Sequence, residues 1–295
     1  MTDFDPAAAA RYGVFVEYAY LMFEALEHSG DPGNLTPPAP DGFEATTDTT
    51  IVAYLSALDT FVSGERRFYG FVARGISSPN QIVVAIRGTA DFTEWFDDFE
   101  LWPVEFAPIP AAGMVEYGFY ELFASMEALD ATGRPLDLLG LPALAGVELP
   151  VVTIVGHSLG GALATMYALL ALDENPDLTP LTSLYTLASP ALGDEQFASY
   201  FNTMVPLSQR VWNTADIVPK ALNWLYTQVD QDGSPISPLP EVRASWPCEH
   251  ALTTYLWLLD PSNPFASAFT GGDCYQPMSL AAAGRRLVHA RRRAG

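Results

Sequence analysis

LPVVTIVGHSLGGALATMYALL (residues 149–170) is the segment from which the architecture of this chain can be predicted. An apolar, β-branched run ends in the motif GHSLG, and an apolar helical pattern begins at once. The glycine on each side of Ser158 permits a turn so tight that a Cβ there would collide with a neighbouring strand or helix. This order of strand, turn and helix is the context in which G-x-S-x-G forms a nucleophile elbow. It predicts an exposed Ser158 Oγ at a helix N-terminus, where partial positive charge favours an anion.

The segments around this motif alternate between β-rich and helical patterns. Four further strands are expected within 67–75, 81–89, 181–192 and 208–220, the first two as a hairpin. Helices are expected over 14–26, from about 115 to 130 and near 249–259, and loops over 29–50, 131–148 and 230–247. Strands that alternate with helices favour an α/β fold with a mostly parallel central sheet and helices on both faces. Neither a repeat nor a linker divides the sequence, so one domain over 1–295 is expected.

The charge of the chain limits its partners. It has 35 acidic and 14 basic residues, a net charge of −21 and a single lysine, Lys220. Such a surface repels nucleic acid and anionic lipid, so a polyanion-binding role is not expected. Five arginines lie between Arg285 and Arg293, and residues 284–295 are interpreted as a short, basic, solvated C-terminal tail rather than an electrostatic anchor.

The N-terminal segment predicts neither a secretory leader nor a membrane span. Asp3 and Asp5 stand where a leader would carry basic residues, and no apolar core with a cleavage site follows. Residues 14–26 are apolar but contain Glu17 and Glu24, which favours an amphipathic helix. A soluble protein is therefore expected, either cytoplasmic or secreted and already without its leader.

Two cysteines, Cys248 and Cys274, leave two interpretations open. They could form one disulfide that holds the segment around His250, or they could remain free thiols, because two cysteines are not a disulfide framework. The spacing of Cys and His residues is not that of a metal site, so the sequence predicts neither a metal nor another cofactor.

Ser158 needs a base, because a serine hydroxyl is a poor nucleophile at neutral pH. The chain has four histidines. His28 ends the first predicted helix, His157 lies inside the elbow with its side chain expected to point away from Oγ, and His289 belongs to the basic tail. His250 remains as the predicted base, on a loop after the last strand.

The base in turn needs a carboxylate to orient it. Asp216, in NTADIVP, follows an apolar run and is expected at the carboxyl end of a strand, the sheet edge where such folds bind ligands. Asp194 is the alternative. The order Ser158, Asp216, His250 is the one expected of α/β hydrolases.

An oxyanion hole requires two further donors. One is expected to be the backbone N–H of Leu159, directly after the nucleophile. The other is expected from the loop after an earlier strand, where Thr89 ends Arg87-Gly88-Thr89 and offers both its N–H and its hydroxyl.

Taken together, these motifs resemble the class 3 lipases, the family of filamentous-fungal triacylglycerol lipases and their bacterial and plant relatives. The resemblance runs from about Arg67 to Tyr255. It rests on these motifs, in order: FYGFVA, Arg87-Gly88-Thr89, Trp95 with Asp98, Val115 with Gly118-Phe119, GHSLGGALA, LASPALGDEQFASY, VWNTADIVP, and His250 with Tyr255. It implies an α/β-hydrolase fold and an oxyanion hole formed by Thr89 and Leu159.

The resemblance also implies two roles for the segment after Thr89. Asp98 would orient the Thr89 hydroxyl, the alternative being a salt-bridged surface carboxylate. Residues 90–102 would occupy the position of a lid over the acyl groove. Aromatic and apolar residues alternate there with five acidic ones, so a fixed surface helix beside an esterase cleft is an equal alternative. Among the departures from the family, Glu116 stands where a histidine is frequent before Gly-Phe.

These residues together predict a carboxylic ester hydrolase that works through an acyl-enzyme, with a lipase acting on acylglycerols at a lipid–water interface as the first interpretation. The alternatives are a short-chain, feruloyl-type or polymer esterase, an acyltransferase, and a catalytically silent scaffold that binds partners or lipid. The sequence leaves acyl-chain specificity and oligomeric state open.

Overall fold

The computed structural model describes residues 4–59, 64–89, 102–230 and 232–277. Within them the strands are β1 Thr49–Asp59, β2 Glu65–Gly75, β3 Gln81–Ile86, β4 Pro103–Glu105, β5 Met114–Glu116, β6 Glu127–Leu129, β7 Pro135–Leu136, β8 Val151–His157, β9 Thr182–Leu187, β10 Ser208–Asn213 and β11 Ser234–Ile236. The helices are α1 Pro6–Ser29, α2 Phe43–Thr47, α3 Tyr117–Ala124, α4 Leu159–Glu174, α5 Glu195–Met204, α6 Val218–Ala221, α7 Trp246–His250, α8 Leu252–Leu259 and α9 Ala266–Gly271. Short 3₁₀ helices cover Pro110–Ala112, Leu141–Ala145 and Pro176–Leu181.

A nine-stranded sheet forms the centre, in the order β11-β10-β9-β8-β3-β2-β1-β6-β7. The strands from β11 to β3 pair in parallel, and β3 also pairs with β2 as the expected antiparallel hairpin. The strands from β2 to β7 continue in antiparallel pairs, and β4 and β5 form a separate two-stranded ribbon. The carboxyl ends of β3, β8 and β10 therefore share one edge of the sheet.

Both faces of the sheet are covered, as the sequence predicts. Along β3 the side chains alternate: Ile82, Val84 and Ile86 join a core with α3, α4 and α5, whereas Val83 and Ala85 join a second core with α1 and α8. This is the period-2 alternation of a strand between two helical layers. Within the described residues, the structure contains no helix long and apolar enough to cross a bilayer.

Several element predictions differ from the structure. The loops predicted over 131–148 and 230–247 contain the short strands β7 and β11, and His250, predicted on a loop, is the last residue of α7. The strand β1 begins inside the loop predicted over 29–50 and continues through a segment for which no element was predicted. The helix expected from about 115 to 130 is shorter, because β5 precedes α3 and β6 follows it. The residues of β6 pair with β1, at Tyr54 with Leu129, and this long-range pairing overrides the local helical pattern.

A disulfide joins Cys248 in α7 to Cys274 after α9, with 26 residues of separation. Of the two alternatives left open by the sequence, the structure has the bonded one. The linkage closes a loop that contains α8 and α9, and it fixes the chain two residues before His250.

We predict that replacing both cysteines, Cys248→Ser with Cys274→Ser, lowers the free energy of unfolding by about 3 kcal/mol, because closing a loop of this length removes that much conformational freedom from the unfolded chain. Urea unfolding of the oxidised wild type and the double variant measures the difference. In reducing buffer the two midpoints should converge. Equal midpoints under oxidising conditions would contradict the prediction.

A buried carboxylate begins helix α3. Glu116 is fully buried, and its two side-chain oxygens accept the backbone N–H groups of Gly118 and Phe119 at 2.8 and 2.7 Å. Burial raises the pKa of Glu116 from 4.5 to about 7, although the two N–H donors act in the opposite direction. The helix N-terminus thus holds a carboxyl group that binds its proton more tightly in the folded chain than in the unfolded one.

Because the pKa of Glu116 is raised on folding, the stability it contributes is complete below about pH 4.5 and lost as the pH rises to about 7. We therefore predict that the difference in free energy of unfolding, Glu116→Gln minus wild type, increases by about 3 kcal/mol as the pH rises through this interval. Urea unfolding at a series of pH values measures the gain. The exposed Glu121→Gln, on the same helix, should show no such trend, and a flat Glu116→Gln difference would refute the assignment.

Candidate active site

The elbow places Ser158 between β8 and α4 in a conformation that few residues adopt. Its φ is +56° and its ψ −129°. The residue is only 1% exposed, so the predicted exposure of its side chain is wrong, because His250 and Gly88 pack against it. A Cβ on Gly156 would meet the carbonyl of Gly160, and a Cβ on Gly160 would meet the carbonyl oxygens of Ile86 and Arg87. Only glycine fits at these two positions, so the GHSLG motif forms the tight turn that the sequence predicts. Strain of this kind at a polar side chain is typical of functional sites.

Three side chains that are distant in sequence meet at this elbow. The Nε2 atom of His250 lies 2.8 Å from Ser158 Oγ, and its Nδ1 atom lies 2.8 Å from Asp216 Oδ2. All three residues are buried, Asp216 completely. A carboxylate can only accept, so His250 donates from Nδ1, and its Nε2 is free to accept the serine proton. The arrangement can generate a nucleophilic oxygen, and the structure brings the three predicted residues together.

Asp216 is fixed by three hydrogen bonds, and the loop after β10 supplies its position. Besides His250, the Tyr255 hydroxyl donates to Oδ2 at 2.7 Å and the backbone N–H of Val218 donates to Oδ1 at 3.0 Å. Burial, followed by the charge of Asp216, raises the pKa of Tyr255 well above its ordinary value. Tyr255 therefore keeps its proton and remains a donor. The sequence pointed to Tyr255 only through the family resemblance and assigned it no role.

The remaining candidates for base and acid have other contacts. His28 lies 2.7 Å from the carbonyl of Glu24, at the end of α1. Asp194 caps α5 by accepting the N–H of Phe197. His157 does not reach Ser158 Oγ but lies 2.9 Å from the backbone carbonyl of His250, a contact that the sequence did not predict. The tail that contains His289 lies outside the described residues.

Leu159 and Thr89, the predicted oxyanion donors, lie where the sequence places them, after the nucleophile and after an earlier strand. Their roles remain predictions. Leu159 is the first residue of α4, so its N–H is at the helix N-terminus. A Cβ on Gly88 would lie 3.0 Å from the Cβ of Ser158, which places the chain just before Thr89 beside the nucleophile. Asp98, together with the rest of the proposed lid up to residue 101, lies outside the described residues. Trp102 is described and is half exposed, with its ring 5.4 Å from that of Tyr117.

Among the described residues, no group of three or more His, Cys, Asp or Glu side chains could hold a metal ion.

Comparison with known proteins shows what the central part of the chain is similar to. Residues 83–226 match the family Lipase (class 3). Phospholipase A1-II 3 of Oryza sativa subsp. japonica is 30% identical over 228 residues, which cover 66% of this chain and 53% of that protein. The lipase of Rhizomucor miehei is 31% identical over 180 residues, covering 60% of this chain and 45% of that protein. The chain thus spans about half the length of these curated relatives.

Solved structures give the same fold. The native Rhizomucor miehei lipase propeptide complex superimposes with a TM-score of 0.57 at 21% identity, over 88% of this chain and 80% of that chain. The nonglycosylated LIP2 lipase of Yarrowia lipolytica superimposes with a TM-score of 0.60 at 16% identity, over 80% of each chain. These likenesses confirm the predicted α/β-hydrolase fold. The match over residues 83–226 covers a little under half of the chain and shows that this part is similar to the class 3 lipases.

Proposed function

We propose that this chain hydrolyses carboxylic esters of lipids, acylglycerols first among them, through a covalent acyl-enzyme on Ser158. The observation that carries the proposal is the continuous hydrogen-bonded line from Ser158 Oγ through His250 to Asp216, set at a glycine-flanked elbow. A nucleophile, a base and a group that orients the base are the parts that acyl transfer requires.

The mechanism follows from the proton positions. Ser158 Oγ attacks the ester carbonyl while Nε2 of His250 takes its proton, and the tetrahedral intermediate then expels the alcohol, which His250 protonates. Water, deprotonated by the same nitrogen, attacks the acyl-enzyme, and the second tetrahedral intermediate expels Ser158 Oγ, which His250 reprotonates as the acid leaves. Asp216 stabilises the positive charge that His250 acquires, and its two oxygens accept hydrogen bonds from the Tyr255 hydroxyl and the Val218 backbone N–H.

The oxyanion hole completes the proposal. The N–H of Leu159 begins α4, where the first backbone donors of a helix have no partner within the helix. Thr89 follows β3 beside the nucleophile and supplies the second donor, with Asp98 as the residue that orients its hydroxyl. Losing one such donor typically costs about 3 kcal/mol of transition-state stabilisation.

A lipid substrate is supported by the surface next to Asp216. Ile217, Trp224 and Leu225 are large apolar residues that remain exposed, Trp224 by 72%. All three lie within nine residues of Asp216 in the sequence, and exposed apolar side chains are typical of a surface that contacts a ligand or a lipid aggregate. The curated relatives include phospholipases A1 as well as a lipase, so both triacylglycerols and phospholipids belong in the substrate test.

The disulfide supports a location. Disulfides persist in oxidising environments and are rare in the cytoplasm. Of the two locations that the sequence leaves open, we therefore propose the secreted one, supported by the bonded Cys248 and Cys274.

We predict that Ser158→Ala lowers kcat for p-nitrophenyl butyrate by about a million-fold, because no other group replaces the nucleophile. The exposed Ser199→Ala, on helix α5, is the matched control and should retain wild-type turnover. Initial rates with both purified variants measure the effect. Undiminished turnover by Ser158→Ala would refute the mechanism.

The substrate class is tested by initial rates on esters of increasing acyl length, each measured below and above its solubility limit, and on phosphatidylcholine vesicles. A lipase that acts at an interface is expected to gain rate abruptly once a long-chain acylglycerol forms an emulsion. A smooth preference for short, dissolved esters would contradict the lipid assignment and favour the esterase alternative, while leaving the acyl-enzyme mechanism intact.

A further inference from the structure

We propose that Tyr20, on helix α1, is a positioning residue for the catalytic centre. Its hydroxyl group ties the end of strand β3 to His157, and His157 in turn holds the backbone of His250. The proposal rests on the ester hydrolysis proposed above, because it concerns the steps that Ser158 and His250 carry out.

Three hydrogen bonds connect these groups in one chain. The backbone N–H of Gly88 donates to the Tyr20 hydroxyl oxygen at 2.9 Å, and this hydroxyl lies 2.9 Å from Nδ1 of His157. The Nε2 atom of the same ring lies 2.9 Å from the carbonyl oxygen of His250. The chain of bonds therefore runs from the residue before Thr89 to the backbone of the catalytic base, through the residue directly before the nucleophile.

Only one set of proton positions satisfies all three bonds. A carbonyl oxygen can only accept, so His157 carries its proton on Nε2 and donates it to His250. Burial, followed by the proximity of His250, lowers the pKa of His157 well below 6.5, so the ring is neutral and its Nδ1 is an acceptor. Tyr20 must then donate to Nδ1 while its oxygen accepts from Gly88. Burial raises the pKa of Tyr20 above its ordinary value, which keeps this proton in place.

Helix α1 also holds Gly88 from its other side. The Arg87 Nη1 group donates to the carbonyl oxygen of Gly88 at 2.7 Å, and the Arg87 guanidinium lies 3.6 Å from the centre of the Phe23 ring. Phe23 follows Tyr20 by three residues and so lies on the same face of the helix. Because a peptide group is planar, fixing the Gly88 carbonyl also fixes the direction of the Thr89 N–H, the proposed oxyanion donor. Tyr20 fixes the peptide group before it.

The hydrogen bonds of Tyr20 and His157 hold the chain before Thr89 and the backbone of His250, and the reaction rate depends on where these two groups lie. An error of about 1 Å in the placement of a reacting or stabilising group can cost about 100-fold in rate. The ring of His157 lies 4.9 Å from that of His250, which becomes positively charged during the reaction. A hydrogen bond from Tyr20 to Nδ1 favours the neutral form of His157, so this neighbour adds no opposing charge. Tyr20 thus serves both the geometry and the electrostatics of the site.

The test removes only the hydroxyl group. For Tyr20→Phe, we expect kcat for p-nitrophenyl butyrate, per active site, to fall about 10- to 100-fold while KM changes less than about two-fold, because the lost placement matters in the transition state rather than in substrate binding. Active sites are counted by the burst of p-nitrophenol from diethyl p-nitrophenyl phosphate, so protein that fails to fold is left out of the rate. The matched control is Tyr18→Phe, whose ring is buried on the same helix against Phe43 and Phe265.

A double-mutant cycle tests the link between Tyr20 and His157. His157→Phe keeps an aromatic ring but removes both ring nitrogens, and with them the bonds to Tyr20 and to the His250 carbonyl. If the two residues act through one chain, the double variant is no more than about two-fold slower than the slower single variant. Losses that multiply would overturn the proposal, as would a Tyr20→Phe enzyme with wild-type kcat per titrated site.

Histidine ¹⁵N NMR spectra of the wild type test the chain without any substrate. At pH 7, we expect a neutral His157 ring protonated on Nε2, and in Tyr20→Phe a changed chemical shift of the unprotonated Nδ1, because this nitrogen loses its hydrogen-bond donor. An Nδ1-protonated His157 in the wild type would overturn the proposal whatever the activity. Turnover that survives in Ser158→Ala would instead refute the proposed function, so the two failures are distinguishable.

Discussion

The close approach of helix α4 to the end of strand β3 is the constraint on which the whole catalytic centre depends. A side chain at Gly160 would occupy the space of the Ile86 and Arg87 carbonyl oxygens, so the two backbones are in direct contact. This contact brings the N-terminus of α4, the strained Ser158 and the loop before Thr89 to one point. Every later element of the site is placed relative to that point, and the parallel pairing of β3 with β8 keeps it rigid.

Buried polar groups destabilise a fold when they lack hydrogen-bond partners, and in this site the buried side chains bind one another. Asp216, fully buried, is bound by His250, Tyr255 and the backbone after β10. Two of these partners are held by further hydrogen bonds: the Asn213 backbone N–H donates to the Tyr255 hydroxyl, and His157 Nε2 lies 2.9 Å from the His250 carbonyl oxygen. Such networks resist rearrangement, because breaking one member leaves a buried group unsatisfied. The arrangement needed for acyl transfer is therefore already present before substrate arrives.

Local chemistry made the elbow and the order Ser158, Asp216, His250 predictable from the sequence, because glycine spacing and residue type suffice to recognise them. Contacts that depend on distant pairing were not predictable. Strand β6 owes its existence to β1, and Tyr20 meets His157 across 137 residues of sequence. Whether Cys248 and Cys274 are bonded or free was open for the same reason, because the answer depends on a contact between distant residues. Asp98 and the lid interpretation of residues 90–102 remain predictions, since nearly all of that segment lies outside the described residues.

The disulfide has one more consequence. His250, the proposed base, and Tyr255, which donates to Asp216, both lie between Cys248 and Cys274 and so within a covalently closed ring. A protease that cuts one peptide bond inside this ring does not release either residue from the rest of the molecule. The nicked protein remains one covalent unit, because the disulfide still joins its two fragments until it is reduced. Where proteases are abundant, this ring would keep His250 attached to the rest of the site after a single cleavage.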